Sequence, residues 1–305
     1  MNFRAALVLV FGVLAVGTGA VLLELTEAPA LVKAAWRVTL AALIIWPFAI
    51  RRAGQEIREL RPADRKRALL AGIALAAHFG LWVPSLDYTS VASSVILVTT
   101  NPIFVGLLSP FFLGERVGRR LAIGTWIAFA GAVFIVLGDG SLGQGSEHAS
   151  NPVLGDLLAL GGAFAAALYF MIGRSLRQQI SLLAYVATVY STAAICLIGI
   201  CLLAGLPLLA YPTETWIFFL ALALVPQLLG HSSLNWALEH LSAAYVSAAV
   251  LGEPIVSTVL AWWILKQVPP SSALIGGGFI LCGLGIATLG EERERRRKKR
   301  AARRA

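Results

Sequence analysis

Ten long apolar runs follow one another along the chain, and they constrain its fold more than any other feature. They cover approximately residues 5–24, 29–50, 67–86, 91–113, 120–138, 153–173, 182–204, 215–235, 244–265 and 272–290. A bilayer core about 30 Å thick needs roughly 20 apolar residues in a helix. The runs are continuous rather than alternating, which favours helices over barrel strands. We therefore predict an all-α polytopic membrane protein with ten transmembrane helices.

The composition excludes the soluble alternatives. Hydrophobic residues make up 58% of the chain and charged residues only 13%, whereas soluble domains carry about 25% charged residues. Three cysteines inside apolar runs do not form a disulfide framework or a zinc pattern. The sequence contains no His-Glu-x-x-His motif, Gly-rich phosphate loop or Gly-x-Ser-x-Gly elbow. We therefore expect no enzyme, no cofactor and no metal site.

The basic residues predict the orientation of the chain in the membrane. In a soluble protein, a net charge of +9 would suggest nucleic-acid binding. Here, however, 22 of the 25 Lys and Arg lie near the N-terminus, after the second, fourth and sixth runs, and in the C-terminal tail. Positive loops stay in the cytoplasm. We expect a multi-pass protein of the cell inner (plasma) membrane with both termini cytoplasmic. We also expect no nucleic-acid partner, and a tail that meets membrane lipids.

The second half of the chain repeats part of the first at an offset of 152 residues. The offset aligns Leu86-Asp87 with Leu238-Glu239, Ser90 with Ser242, Asn101-Pro102 with Glu253-Pro254, Gly124 with Gly276, and Gly131 with Gly283. Each half has five helices, and because five is odd, the second half enters the membrane from the opposite side and is inverted. In transporters, inverted repeats form the substrate site near the middle of the membrane. The expected organisation is a first repeat (1–138), an extracytoplasmic loop (139–152), a second repeat (153–290) and a basic cytoplasmic tail (291–305).

With these motifs in place, the chain resembles the EamA family of the drug/metabolite transporter (DMT) superfamily. The resemblance rests on Leu86-Asp-Tyr-Thr-Ser-Val-Ala-Ser-Ser94, Asn101-Pro102, Gly114-Glu115, and Asn235-Trp-Ala-Leu238 leading to Glu253-Pro254. It implies ten helices in two inverted repeats, a central cavity lined mainly by helices 1, 3, 4, 6, 8 and 9, and export or uptake of small metabolites. The family pattern ends the fourth and ninth helices with Gly-Glu, but the second copy here reads Lys266-Gln267.

Glu253 has the strongest functional signal inside the predicted membrane core. It directly precedes Pro254 in the ninth run, as Asn101 precedes Pro102 in the fourth. Each proline removes a backbone hydrogen bond, and broken helices at matching positions of two repeats point to a binding site. Two interpretations of Glu253 stay open. It binds a cationic or amine group or takes up a proton during transport, or it satisfies freed backbone groups or pairs with a neighbouring helix. Pro102 and Pro254 themselves are expected to have structural or gating roles.

Other polar and aromatic side chains in the runs are candidates for a solute cavity, because polar groups are costly in lipid. They are His78, Trp82, Asn101, Thr99, Tyr169, Gln227, His231, Asn235 and Ser257. In the eighth run, Gln227, His231 and Asn235 follow one another at intervals of four residues, so they lie on one face of the helix. His231 and His78 join Glu253 as proton-coupling candidates. For each candidate, ordinary packing or hydrogen bonding between helices is the alternative.

Arg37 and Glu115 are expected to act in structure or gating. We expect Arg37 to neutralise Glu24 or Glu27, with contact to a substrate anion as the alternative. Glu115, at the end of the fourth run, is expected to form a gate or an interhelical salt bridge.

Four glycines form two small helix faces that predict close helix packing. These are Gly124 and Gly131 in the fifth run and Gly276 and Gly283 in the tenth. The packing is expected either within the protomer or in a homodimer.

Together these features predict a secondary active transporter. It moves a small-molecule solute (an amino acid, amine or drug-like metabolite) by alternating access, with export favoured and proton coupling as a hypothesis. The alternative is a polytopic membrane enzyme or flippase acting on a lipid-linked substrate.

Overall fold

The computed structural model describes residues 3–89, 94, 97–138, 151–266 and 271–302. Within these ranges the chain forms ten helical units and no strands. They are α1 (Phe3–Gly17 and Gly19–Glu24), α2 (Ala30–Glu59), α3 (Pro62–Ser85), α4 (Asn101–Phe112), α5 (Arg119–Gly138), α6 (Pro152–Leu176), α7 (Leu182–Leu203), α8 (Thr213–Leu222, the π-helical Ala223–His231, and Ser232–His240), α9 (Ala243–Val250 and Glu253–Leu265) and α10 (Ser271–Ala302). Each unit coincides with one predicted run. In the described residues, eight helices are long and apolar enough to span a membrane, and Asn101–Phe112 is a shorter apolar helix. The prediction of an all-α membrane protein with ten transmembrane helices is confirmed.

Two segments outside the predicted apolar runs are helical. Between the second and third runs, α2 continues to Glu59 and α3 begins at Pro62. Bilayer thickness limits the apolar stretch, not the helix, and a proline in the first turn loses no helical hydrogen bond. The predicted tail is likewise helical as far as Ala302. Residues 90–93 of the family motif, positions 139–150 of the predicted loop, Gln267 and the last three residues lie outside the described ranges.

The glycine faces of α5 and α10 meet inside the chain. A Cβ added at Gly124 would lie 2.4 Å from the carbonyl oxygen of Gly283, and one at Gly131 would lie 2.6 Å from that of Gly276. Hydrogen atoms at these positions let the two backbones touch. These faces therefore pack within the protomer. The homodimer stays a prediction, and no surface is assigned to it.

Other close approaches hold together the helices around the interior. A Cβ at Gly230 of α8 would lie 2.9 Å from the backbone nitrogen of Val16 in α1. A Cβ at Gly162 of α6 would lie 3.2 Å from that of Trp82 in α3. The first, third, sixth and eighth helices are thereby fixed at short range around the centre of the bundle.

Helix α4 and the second segment of α9 begin at matching positions. In α9, Leu251 and Gly252 interrupt the helix, and a new segment starts at Glu253 with Pro254 in its first turn. The described segment of α4 starts at Asn101, again with a proline next. The breaks therefore place Asn101 and Glu253 at helix starts rather than in mid-helix.

Candidate functional site

Buried polar and aromatic side chains from α2, α3, α6, α7 and α8 form one connected cluster in the interior, with Arg37 at its centre. The Arg37 side chain is 2% exposed. Its Nε donates a hydrogen bond of 2.8 Å to Oε1 of Gln227, which is fully buried. The guanidinium lies 4.3 Å from the ring centroid of Phe79. A buried cation is thus held between an amide and an aromatic face, an arrangement stabilised by cation–π attraction.

The predicted polar face of α8 points into this cluster. The His231 ring lies between Phe79, at a centroid distance of 5.4 Å, and Tyr169, at 6.2 Å. One turn further, Asn235 Nδ2 donates to the Tyr169 hydroxyl at 2.5 Å. The Tyr190 hydroxyl of α7 shares a 3.0 Å hydrogen bond with Ser232. The structure thus brings Gln227, His231 and Asn235 of α8 together with Tyr169 of α6.

A π-helical turn sets this face of α8. Pro226 lies inside the segment Ala223–His231 and removes one backbone amide from the helical ladder. Segments of π-helix are rare and occur frequently at functional sites. Gln227 and His231 lie in this segment, and Asn235 lies in the α-helical part that follows.

His78 and Trp82 form an aromatic stack beside the cluster. Their rings are 5.8 Å apart and nearly parallel, at 9°. Nδ1 of His78 lies 3.0 Å from the carbonyl oxygen of Gly162, and the His78 ring also contacts Phe79. The two predicted residues therefore lie together, at the junction of α3 and α6.

Glu253 approaches the cluster from α9. Its carboxyl group interacts electrostatically with Arg37, and the residue is only partly buried. One turn further, Ser257 Oγ donates to the Gly17 carbonyl of α1 at 3.0 Å. Glu253 thus borders the cluster, whereas Ser257 ties α9 to α1.

Asn101 and Thr99 lie buried in or just before α4. Asn101 Nδ2 donates to the Val98 carbonyl at 3.4 Å. Val98 is the residue whose carbonyl Pro102 leaves without a backbone amide, because it lies four residues earlier. The Asn101 side chain therefore fills the gap that the proline creates.

Several buried polar atoms in the cluster and in the adjacent His78–Trp82 stack have no hydrogen-bond partner. They are Arg37 Nη2, Gln227 Nε2, Trp82 Nε1, His231 Nδ1 and Asn235 Oδ1. A buried polar atom without a partner costs about 1–3 kcal/mol. A concentration of such atoms in one place is typical of a site that a polar ligand completes.

The expected pairing of Arg37 with Glu24 or Glu27 is wrong. Arg37 points inward to Gln227 and Phe79, and Lys33 is the base that interacts with Glu24. Lys33 lies one helical turn earlier, and its Nζ donates to the Leu23 carbonyl at 2.9 Å. The two basic residues share a helix, but helix periodicity turns only one of them toward the centre.

Ion pairs join several helices at one end of the bundle. We call it the basic end, because the end of α2, the α4–α5 and α6–α7 connections and the extension of α10 bring most of the basic residues there. Arg174 Nε lies 2.8 Å from Glu115 Oε1, and its Nη1 donates to the Leu238 carbonyl at 2.7 Å. Arg177 pairs with Glu239. Glu115 therefore contacts α6, as an interhelical pair does, rather than its neighbour in sequence.

A cavity of about 230 Å³ lies beside these ion pairs, not at the central cluster. Glu115, Arg174, His240 and Glu291 are among the residues that line it. The central candidates do not line it, and the cluster around Arg37 is closed to solvent. The structure thus has an open pocket at the basic end and a closed polar centre.

Two members of the cluster were missed by sequence analysis. Phe79 contacts Arg37, His78 and His231, and Tyr190 contacts Ser232. Phe79 lies three residues before Trp82 and therefore on the same side of α3, a spacing that could have found it. Nothing local distinguishes Tyr190 from a packed aromatic residue of an apolar run.

Ten apolar helices around a closed polar centre define a multi-pass membrane protein of the transporter type. The profile of the EamA-like transporter family matches residues 3–137 and again 153–289. The chain belongs to this family, and it has the two-repeat fold that sequence analysis predicted.

Individual relatives agree with this assignment. The "Probable terminal-alkyne amino-acid exporter" of Streptantibioticus cattleyicolor is 26% identical, over 85% of this chain and 84% of its own length. The "Riboflavin transporter" of Rhizobium johnstonii is 28% identical, over 88% and 84%. A solved crystal structure superimposes with a TM-score of 0.79 at 21% identity, covering 96% of this chain and 99% of that one. This last likeness shows the fold alone.

Proposed function

We propose that the chain is a secondary active transporter that moves a small organic solute by alternating access of its two five-helix halves. The solute class is an amino acid, amine or drug-like metabolite. The observation that carries the proposal is the closed cluster of unpartnered polar atoms around Arg37, to which α2 and α3 of the first half and α6, α7 and α8 of the second contribute. Sites between repeats, next to broken helices, are where transporters bind their solutes.

Export from the cytoplasm across the inner membrane is the proposed direction. The name of the Streptantibioticus relative supports it. In the sequence, 22 of the 25 basic residues lie near the N-terminus, after the second, fourth and sixth runs, and in the tail. With positive loops inside, the basic end faces the cytoplasm together with both termini. The cavity beside Glu115 and Arg174 then forms the cytoplasmic mouth, and their ion pair forms part of its gate.

Glu253 is the proposed site of proton coupling. Asn101 in α4 donates to the carbonyl that Pro102 frees, and Glu253 stands in the same position relative to Pro254 and Val250. A protonated carboxyl group can donate a hydrogen bond, but a carboxylate can only accept. Protonation would thus allow Glu253 to complete the break as Asn101 does, so one proton would change both the helix break and the charge facing Arg37.

The ionisable groups around Glu253 come from several helices. Arg37 of α2 is the charged group that acts on it. His78, His231 and Tyr169 interact with Arg37 in turn. The two histidines therefore remain candidates for sharing the proton.

Glu253→Gln tests the coupling in proteoliposomes. Glutamine keeps the size of the side chain and can donate as Asn101 does, but it cannot titrate. We expect solute exchange to continue and its pH dependence to disappear. Glu214→Gln, the same change at an exposed position in the first turn of α8, should leave the pH profile intact. An unchanged pH profile in Glu253→Gln would remove the coupling role.

A further inference from the structure

The two unpartnered atoms of the Arg37–Gln227 pair are both donors. Arg37 Nη2 and Gln227 Nε2 are buried without a partner, and neither can accept a hydrogen bond. The amide orientation of Gln227 is fixed, because its oxygen must face the Arg37 Nε that donates to it. What is lacking at this position is therefore an acceptor.

The unpartnered atoms of Asn235 and His231 do not supply that acceptor. Asn235 Oδ1 lies in an amide whose two ends can be exchanged, since the Tyr169 hydroxyl can donate as well as accept. His231 Nδ1 is a donor or an acceptor according to its tautomer. Only Arg37 Nη2 and Gln227 Nε2 belong to a pair that a hydrogen bond already holds side by side.

The charges of Arg37 and Glu253 limit which chemical class of acceptor can bind here. Arg37 is a buried cation, and the only acidic side chain that acts on it is Glu253, among the residues that the structure describes. Nη2 of Arg37 donates no hydrogen bond to Glu253. A singly charged, planar carboxylate matches the fork of a guanidinium. A doubly charged phosphate would meet more repulsion from Glu253.

We propose that the transported solute carries a carboxylate, which binds to Nη2 of Arg37 and Nε2 of Gln227. The inference rests on the proposed transport function and names the chemical class of its solute. Phe79 lies against the guanidinium and holds it in place for this contact. In this proposal the role of Arg37 is to select the solute, rather than the structural role that sequence analysis expected.

Thermal unfolding of the full-length purified protein tests the proposal without requiring transport. The probes are benzoate, phenylacetate and leucine, each paired with its carboxamide, together with benzylamine and phenylphosphonate. A ligand that binds the folded state raises the unfolding midpoint. We expect the carboxylates to raise the midpoint of the wild-type protein and the carboxamides, the amine and the phosphonate to leave it unchanged.

Three variants locate the effect. Arg37→Gln should abolish the carboxylate shift, whereas Lys33→Gln, which removes a cation one turn earlier on the same helix, should retain it. Gln227→Glu places a carboxylate permanently beside Arg37. It should fold at least as stably as the wild-type protein and show no carboxylate shift, which keeps the test decisive if Arg37→Gln does not fold.

Several results would overturn the proposal. They are an equal shift with carboxamides, a shift with benzylamine or phenylphosphonate in place of the carboxylates, no shift with any carboxylate, and a retained shift in Gln227→Glu. A carboxylate shift without solute flux would contradict only the transport function. Flux of uncharged or cationic solutes without a carboxylate shift would contradict only this inference.

Discussion

At the scale of single residues, the geometry of Arg37 depends on Phe79. The Phe79 ring is fully buried and lies against both the guanidinium and His231. A cation over an aromatic face gains roughly 2 kcal/mol when water is excluded. Phe79 therefore fixes where the charge of Arg37 points, although it brings no charge of its own.

Phe79→Leu should weaken binding of a carboxylate probe by about tenfold, since about 1.4 kcal/mol corresponds to a factor of ten. Leucine keeps most of the apolar volume and removes the aromatic face. The affinity follows from titration of the purified variant by calorimetry. Phe219→Leu is the matched control, because Phe219 is also fully buried but packs among aromatic rings. Equal losses in the two variants would show that Phe79 acts only through packing.

The sequence was enough to predict which residues are candidates, but not which side chains they contact. A polar side chain in an apolar run is conspicuous by type alone, which is how Gln227, His231 and Asn235 were found. The partner of Arg37 lies 190 residues away in the sequence, and no local pattern encodes that contact. The expected pairing with Glu24 or Glu27 therefore rested on proximity in sequence, which was misleading.

At the scale of helices, the contact between α5 and α10 depends on backbone approach. Gly283 would place a Cβ 2.5 Å from both the Ala128 nitrogen and the Gly124 oxygen. Two residues later, Gly285 has nothing within 4 Å. The same helix thus offers a closely packed glycine and an open one.

Gly283→Ala should destabilise the protein by about 1–3 kcal/mol, the usual cost of overpacking. Gly285→Ala should be neutral or slightly stabilising, because alanine favours helix over glycine by up to about 1 kcal/mol. Circular dichroism during thermal unfolding in detergent measures both. If the two variants melted together, α5 and α10 would not pack as described.

The positions of the helices were predictable from the sequence, but their interruptions were only partly so. Bilayer thickness sets the length of an apolar run, so each of the ten described helical units overlaps one predicted run. Pro102 and Pro254 marked the two matching breaks. The π-helical turn of α8 escaped prediction, since Pro226 alone does not say whether a helix kinks, ends or changes its hydrogen-bond register.

At the scale of the whole molecule, ion pairs tie the helices together at the basic end, whereas the centre holds unpaired atoms. Arg174 links Glu115 of the first half to the Leu238 and Glu239 carbonyls of the second. In the proposed alternating-access cycle, these bonds would have to break together when this end opens further.

Arg174→Gln should loosen the basic end without unfolding the bundle. Backbone amides around Leu238 and Glu239 should exchange hydrogen for deuterium faster, because opening of this end becomes easier. Hydrogen–deuterium exchange with mass spectrometry reads this segment directly. Arg116→Gln, at an exposed position in the α4–α5 connection, should leave exchange unchanged. Unaltered exchange in Arg174→Gln would separate the ion pair from gating.

The central claim is that the two repeats move an unmodified small solute across the membrane. Sealed proteoliposomes with an imposed pH gradient can be supplied with a carbon-13-labelled mixture of amino acids, amines and small carboxylates, and their contents identified by mass spectrometry. We predict that at least one labelled carboxylate accumulates with its mass unchanged in wild-type vesicles and not in Arg37→Gln or protein-free vesicles. Accumulation equal to that in protein-free vesicles, or recovery of a chemically altered product, would contradict the account.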